Sequence, residues 1–259
     1  MRTVRGSGCT VVWSDDGATV EKRYDRMSRD LGGRRHEQWT REWRVGMLLR
    51  RQPPPVPHAR LLSAEHGRRS LRFEAIDGDP LGPKFPVELR PDDVADLMAL
   101  ASAVGRYRPQ ARFLRRFDPA GRQHHAVAEG ALTSVAAAAL RRQIELDPPS
   151  IAFGHGDITA RNVLRSASTG QAILIDWEWA GWYPRPWDLA FLWFTLVDLP
   201  GGRAAVEAAV PTQDEPWFWR SALLIQCLHL TLAGLAPGTP FRKKHERMRD
   251  DLVERALAT

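Results

Sequence analysis

Phe153-Gly-His-Gly-Asp-Ile-Thr-Ala-Arg-Asn-Val-Leu164 holds a His-Gly-Asp triplet with an Asn five residues beyond its Asp. Ile173-Leu-Ile-Asp-Trp-Glu178 follows and puts a second acid, Asp176, 19 residues after Asp157. Both stretches read as turns bounded by apolar, strand-like runs. At a few per cent usage per residue type, the first pattern arises by chance on the order of once per 10^5 to 10^6 start positions. Any one of the three polar residues would be ordinary as a helix cap or strand end. Their conjunction is not.

Phosphoryl transfer from a nucleoside triphosphate accounts for the spacing. It needs an oriented hydroxyl and cations on the phosphates, and little covalent chemistry from the protein. Asp157 is placed to accept the acceptor's hydroxyl proton as general base. Asn162 and Asp176 offer one neutral and one charged oxygen, suited to Mg2+, which prefers oxygen donors. Between them there is room for a hairpin: Val163-Leu164 out, a turn over Ser166-Ala-Ser-Thr-Gly170, and Ala172-Ile-Leu-Ile175 back.

These motifs resemble the aminoglycoside phosphotransferase and choline kinase-like branch of the protein-kinase-like superfamily. His155-Gly156-Asp157 with Asn162 is similar to that branch's catalytic loop, and Ile175-Asp176-Trp177-Glu178 to its metal loop. Gly181-Trp-Tyr-Pro184 and Asp188-Leu-Ala190 match its next motif. The resemblance implies a two-lobed α+β fold, with a small antiparallel sheet and one helix in the first lobe and a larger, mainly helical second lobe. It also implies ATP and Mg2+ as cofactors and an alcohol as acceptor. Asp188 would hold the catalytic-loop backbone, and His155 would hold the same loop without acting as a base.

The amino-terminal third supplies the cation this chemistry requires. In Thr19-Val-Glu-Lys-Arg-Tyr24, Val20, Lys22 and Tyr24 share one strand face and Glu21 and Arg23 the other. Lys22 is therefore the inward cation, placed for the alpha and beta phosphates. Its partner is expected on the helix spanning 35–51. Glu37 shares a face with Arg41, Arg44 and Leu48 that reads as solvent-facing. Glu42 shares one with Val45, Gly46 and Leu49, widened by Trp39, Trp43 and Met47, that reads as buried. A buried carboxylate needs a cation, so Glu42 is the better candidate. Gly6-Ser-Gly8 precedes a strand-like run and is a weak candidate for a phosphate-covering loop. Neither a Walker-type Gly-x-x-x-x-Gly-Lys-Ser/Thr nor a Gly-x-Ser-x-Gly nucleophile turn occurs.

Breakers divide the chain. Pro53-Pro-Pro-Val-Pro57 ends the helix, Ala59-Arg-Leu-Leu62 and 70–76 read as a hairpin about Gly67, and Asp77-Gly-Asp-Pro-Leu-Gly82 reads as a hinge. Backbone groups from Glu74 to Ile76 would there meet an adenine edge. The expected division is a nucleotide lobe over 1–76 and a catalytic and acceptor lobe over 77–259. Helices are expected over 90–107, 132–146, 191–197 and 217–235, with a Pro/Gly/Arg-rich surface stretch at 109–123.

Composition sets the remaining bounds. The 259 residues, 43% hydrophobic and 26% charged, are those of a soluble globular chain. Two distant cysteines form no disulfide framework, which fits a reducing compartment. His124-His125 has no Cys or acid at metal spacing and reads as a solvated loop. The first residues lack the apolar run of a signal peptide, and the apolar stretch 221–235 is too short for a bilayer, so a cytoplasmic protein without membrane partner is expected. The net charge of +6 is concentrated in residues 1–76, which hold 16 Lys/Arg against 9 Asp/Glu. Such a face attracts anions, but without interleaved aromatics or a motif it argues against nucleic acid. Residues 177–259, with 9 Lys/Arg and 10 Asp/Glu, are not acidic enough to mark a polycationic acceptor. Trp177, Glu178, Trp179, Trp182 and Asp198 are acceptor-wall candidates by position alone, with core filling the default for at least three of Trp177, Trp179, Trp182, Trp187 and Trp193. A small-molecule hydroxyl is the favoured acceptor, an acidic peptide the second. A nucleotide-binding pseudokinase is the third reading, and it would have no need of Asp157.

Overall fold

The computed structural model describes residues 3–5, 9–24, 34–232 and 239–258. Five antiparallel strands make the first sheet in the order β1-β2-β3-β5-β4: β1 (Thr3–Arg5), β2 (Thr10–Trp13), β3 (Thr19–Arg23), β5 (Ser70–Glu74) and β4 (Leu61–Glu65). The alternation in β3 is that read from the sequence. Lys22 lies opposite Val11 and Leu71, while Glu21 and Arg23 form an ion pair of 2.7 Å on the other face.

Helix α1 (Arg34–Arg51) follows β3 and packs on this sheet. Trp39, Glu42, Val45 and Leu49 are buried, and Glu37 and Arg44 exposed. At Gly46 an added Cβ would lie 2.8 Å from the Leu61 side chain, so helix and sheet touch closely there. Leu48, expected toward solvent with Glu37, is buried instead. The buried stripe is wider because α1 also packs against the 3-10 turn Trp177–Trp179.

The expected hinge is structured. β6 (Gly78–Pro80) pairs antiparallel with β9 (Val163–Ser166), which pairs with β10 (Ala172–Leu174), and these two form the hairpin anticipated between Asn162 and Asp176. Gly78 is required here: a Cβ would fall 2.1 Å from the Arg165 carbonyl oxygen. The third sheet, β7-β11-β8, joins β7 (Arg115–Arg116), β11 (Gly181–Pro184) and β8 (Ile151–Gly154).

Helices supply the rest: α2 (Pro91–Arg106), α3 (Pro119–Ala128), α4 (Ser134–Leu146), α5 (Trp187–Thr195), α6 (Gly202–Ala209), α7 (Glu215–Leu232) and α8 (Pro240–Ala258). The stretch 109–123, read as irregular surface, contains β7 and the start of α3. Asp118 caps α3 by accepting from the Gly121 N–H at 2.9 Å, with Pro119 at the first helical position, a signal hidden among prolines and glycines. His124 and His125 are exposed, as expected, but lie on this helix. All nine residues of α5 are buried, and they join α2, α7 and the catalytic-loop flanks in one core. The fold is α+β and two-lobed, a small sheet with α1 set beside a mainly helical body. No described helix is long and apolar enough to cross a membrane.

Candidate functional site

Lys22 gathers the two ends of the site. Its Nζ donates to both carboxylate oxygens of Glu42 and to Oδ1 of Asp176, each at 2.8 Å. Strand β3, helix α1 and the end of β10 thus converge on one ammonium, across 154 residues of chain. The Tyr24 hydroxyl, from the same strand face, also donates to Glu42. Burial opposes ionisation of Asp176, yet the charge and hydrogen bond of Lys22 outweigh it and hold that carboxyl below its usual range. Burial likewise works against the Lys22 charge, and the two carboxylates overcome it and raise its pKa well above normal.

The second cluster is the loop after β8. Asp188, at the start of α5, is 5% exposed and accepts from the backbone N–H groups of His155 (2.8 Å) and Gly156 (2.9 Å). Burial pushes its carboxyl up to about 6, against the pull of those two donors. Gly156 has φ +83, and a Cβ there would meet the Trp179 carbonyl oxygen at 2.5 Å, so the sharp turn of the loop needs glycine. His155 is fully buried, and burial lowers its pKa to about 4, so the ring is neutral. Its Nε2 lies 2.9 Å from the Ile175 carbonyl oxygen, which can only accept, so the proton is on Nε2. Nδ1 then accepts from the Asp157 N–H at 3.4 Å. The imidazole therefore ties the loop to the residue before Asp176 and has no free role as a base.

Asn162 Nδ2 donates to the Asp157 carbonyl oxygen (2.8 Å) and to Asp157 Oδ2 (3.0 Å). These bonds engage the amide NH2 and leave Oδ1 out. Burial raises the Asp157 pKa, opposed by the nearby Lys84. Lys84 is a site residue that sequence reading does not single out. Its Nζ lies 3.4 Å from Asp157 Oδ1 and 5.4 Å from the Phe191 ring centroid, in a segment with no motif to mark it.

Glu178 belongs with the carboxylates. Oxygens of Glu42, Asp176 and Glu178 lie within 4.8 Å of one another. Burial, then the charges of Asp176 and Glu42, push Glu178 up to about 8. Hard oxygen donors and an excess of carboxylate over ammonium fit a divalent cation such as Mg2+.

Other expected positions fall outside these clusters. The Glu74 carboxylate pairs with Arg60 at 2.8 Å, its N–H donates to the Arg60 carbonyl, and the Ala75 N–H donates to the Ala18 carbonyl. Half-buried Ile76 follows directly, before β6. Asp198 pairs with Lys244 of α8. Trp177, Trp187 and Trp193 fill the core, whereas Trp179 and Trp182 are half-buried. Gly6, Ser7 and Gly8 lie outside the described residues.

The fold recurs in solved structures. A choline/ethanolamine kinase family protein from Mesorhizobium loti superposes with a TM-score of 0.69 at 15% identity, over 99% of this chain and 90% of that one. The choline kinase LicA from Streptococcus pneumoniae gives 0.68 at 12% identity, over 97% and 92%. The gentamicin complex of APH(2")-IIa gives 0.64 at 12% identity, over 100% and 91%. No curated protein sequence matches this chain. A sequence model of the phosphotransferase enzyme family matches residues 13–218, most of the length and every residue of the two clusters. With the His155–Asn162 loop and the acid-bearing turn after β10 both inside that match, the chain belongs to the phosphotransferase enzyme family.

Proposed function

We propose that this phosphotransferase uses ATP and Mg2+ and moves the γ-phosphate to a hydroxyl of a small molecule. The observation that carries the reading is Lys22 bound at once to Glu42 and Asp176. That contact joins an inward strand cation to the acid that would hold a metal. Among the similar structures one is named a choline kinase and another holds gentamicin, both favouring a small acceptor over an acidic peptide.

The roles follow from position. Asp157 takes the hydroxyl proton of the acceptor, and Asn162 fixes its carboxylate through Nδ2. Burial makes Asp157 a stronger base than an exposed carboxylate. Asp188 and His155 hold the loop, one through two backbone N–H groups and one through Ile175. Asn162 Oδ1 and Asp176 would hold Mg2+, with Glu178 next to them. The ion would neutralise charge on the β- and γ-phosphate oxygens. Lys22, oriented by Glu42, would contact the alpha and beta phosphates, and the adenine would lie against residues 74–76, where the Glu74 and Ala75 N–H groups are already bonded to the Arg60 and Ala18 carbonyls.

The test is turnover of Mg-ATP over a panel of small alcohols, amino alcohols, sugars and aminoglycosides, read by the mass of the product. Transfer to an acceptor that Asp157→Asn abolishes supports the reading. Nucleotide binding without transfer to any acceptor, water included, would favour a pseudokinase.

A further inference from the structure

A second charged cavity lies beside α1, with buried Val45 and Leu114 in its floor. It has a volume of about 520 Å³ and opens between α1 and residues 113–115. Arg41, Arg44 and Arg115 line it together with Thr40, Glu37 and Phe113. Three arginines and one glutamate thus contribute to its wall, and none of the four takes part in an ion pair among the described residues. Arg41 and Arg115 both lie over the Trp179 ring, their guanidinium carbons 5.0 and 5.6 Å from its centroid. Burial, then the charge of Arg115, pulls the Arg41 pKa below its ordinary range, with Tyr183, Glu178 and Glu37 acting the other way. Convergent like charges without ion-pair partners repel and favour an anion between them.

We propose that this cavity binds the phosphate group of a small phosphate monoester. The wall charge of three cations and one anion matches a dianion, and a monocarboxylate would neutralise only half of it. Arginine forks pair with phosphate oxygens through parallel N–H donors. Phe113, 49% exposed at the rim, offers an apolar wall to the organic part of such a ligand. The volume is in the range of small-molecule sites, roughly 300–1,000 Å³. An occupant would join α1 to the turn after Asp176, because Arg41 precedes Glu42 and Trp179 follows Asp176 by three residues. The site needs no turnover to be detected and does not depend on which acceptor is phosphorylated.

The experiment is calorimetric titration of the full chain with inorganic phosphate, and in parallel with acetate. Phosphate is expected to bind saturably and acetate at least about tenfold more weakly. Arg44→Gln and Arg115→Gln, both at exposed positions, should each weaken phosphate on the order of tenfold, the loss expected for one charge-assisted hydrogen bond. Arg116→Gln, on the same strand but outside the lining, should leave it unchanged. Lys22→Met separates this cavity from the carboxylate site. The proposal is overturned by phosphate binding that Lys22→Met removes and the arginine variants spare. It is equally overturned by absence of saturation, or by acetate binding as tightly as phosphate. Thermal unfolding of each variant verifies that it is folded.

Discussion

At the scale of single residues, Asp157 and Lys22 make opposite demands. Asp157→Asn preserves shape and removes the carboxylate proposed as base. It is expected to lower kcat by about 10^2 to 10^4 while nucleotide affinity stays within about twofold, measured by coupled assay and titration. Lys22→Met strips a buried carboxylate of its cation. Glu42 is 2% exposed, and breaking such a pair from one side costs about 3–5 kcal/mol, measurable by urea unfolding. Lys22→Met/Glu42→Gln should recover most of that stability without recovering nucleotide affinity. His155 sets a pH limit. Its pKa falls from the ordinary 6.5 to about 4 in the folded chain, so the unfolded chain binds the proton first. Its stabilising contribution is complete above pH 6.5 and is lost as pH falls through 6.5 toward 4. Over that window the loss is roughly 3 kcal/mol at 1.36 kcal/mol per pKa unit. His155→Asn should flatten the corresponding part of a stability-versus-pH curve.

At the scale of elements, the sequence was readable where polar spacing or alternation carried the constraint. The β9–β10 hairpin, the choice of Glu42 over Glu37 and the inward face of β3 followed from three- and four-residue or two-residue periods. What escaped was set by contacts distant in sequence. Asp77–Gly82 read as a hinge because Gly and Pro break local patterns, yet β6 forms there by pairing with residues more than eighty positions later. Lys84 reaches Asp157 across 73 residues, and nothing local could announce it. Leu48 reads as solvent-facing because a helix wheel knows one partner surface, and α1 has two. Gly78 gives a direct test of β6. Its Cβ in Gly78→Ala would collide with backbone, which cannot turn aside as a side chain can. A loss of about 1–3 kcal/mol is expected, with the β6–β9 amides showing faster hydrogen exchange.

At the scale of the whole molecule, the small sheet and the helical body meet through α1 against the 3-10 turn and through Lys22 against Asp176. Ligand binding should therefore register as global stability. Mg-nucleotide at a hundred times its Kd should raise unfolding free energy by about 2.7 kcal/mol. Asp176→Ala should remove the Mg-dependent share, seen as a smaller melting shift with Mg2+ than the parent chain shows.

The ammonium resting on Asp176 also explains how three crowded acids are tolerated before any metal arrives. Lys22 stands as the positive neighbour of the aspartate, in the place a divalent cation would take under the proposed reading. If Asp176 holds Mg2+ as proposed, loading Mg-nucleotide would exchange one counterion of that carboxylate for another and free Lys22 for the phosphates. Metal and nucleotide are expected to load together, each making room for the other.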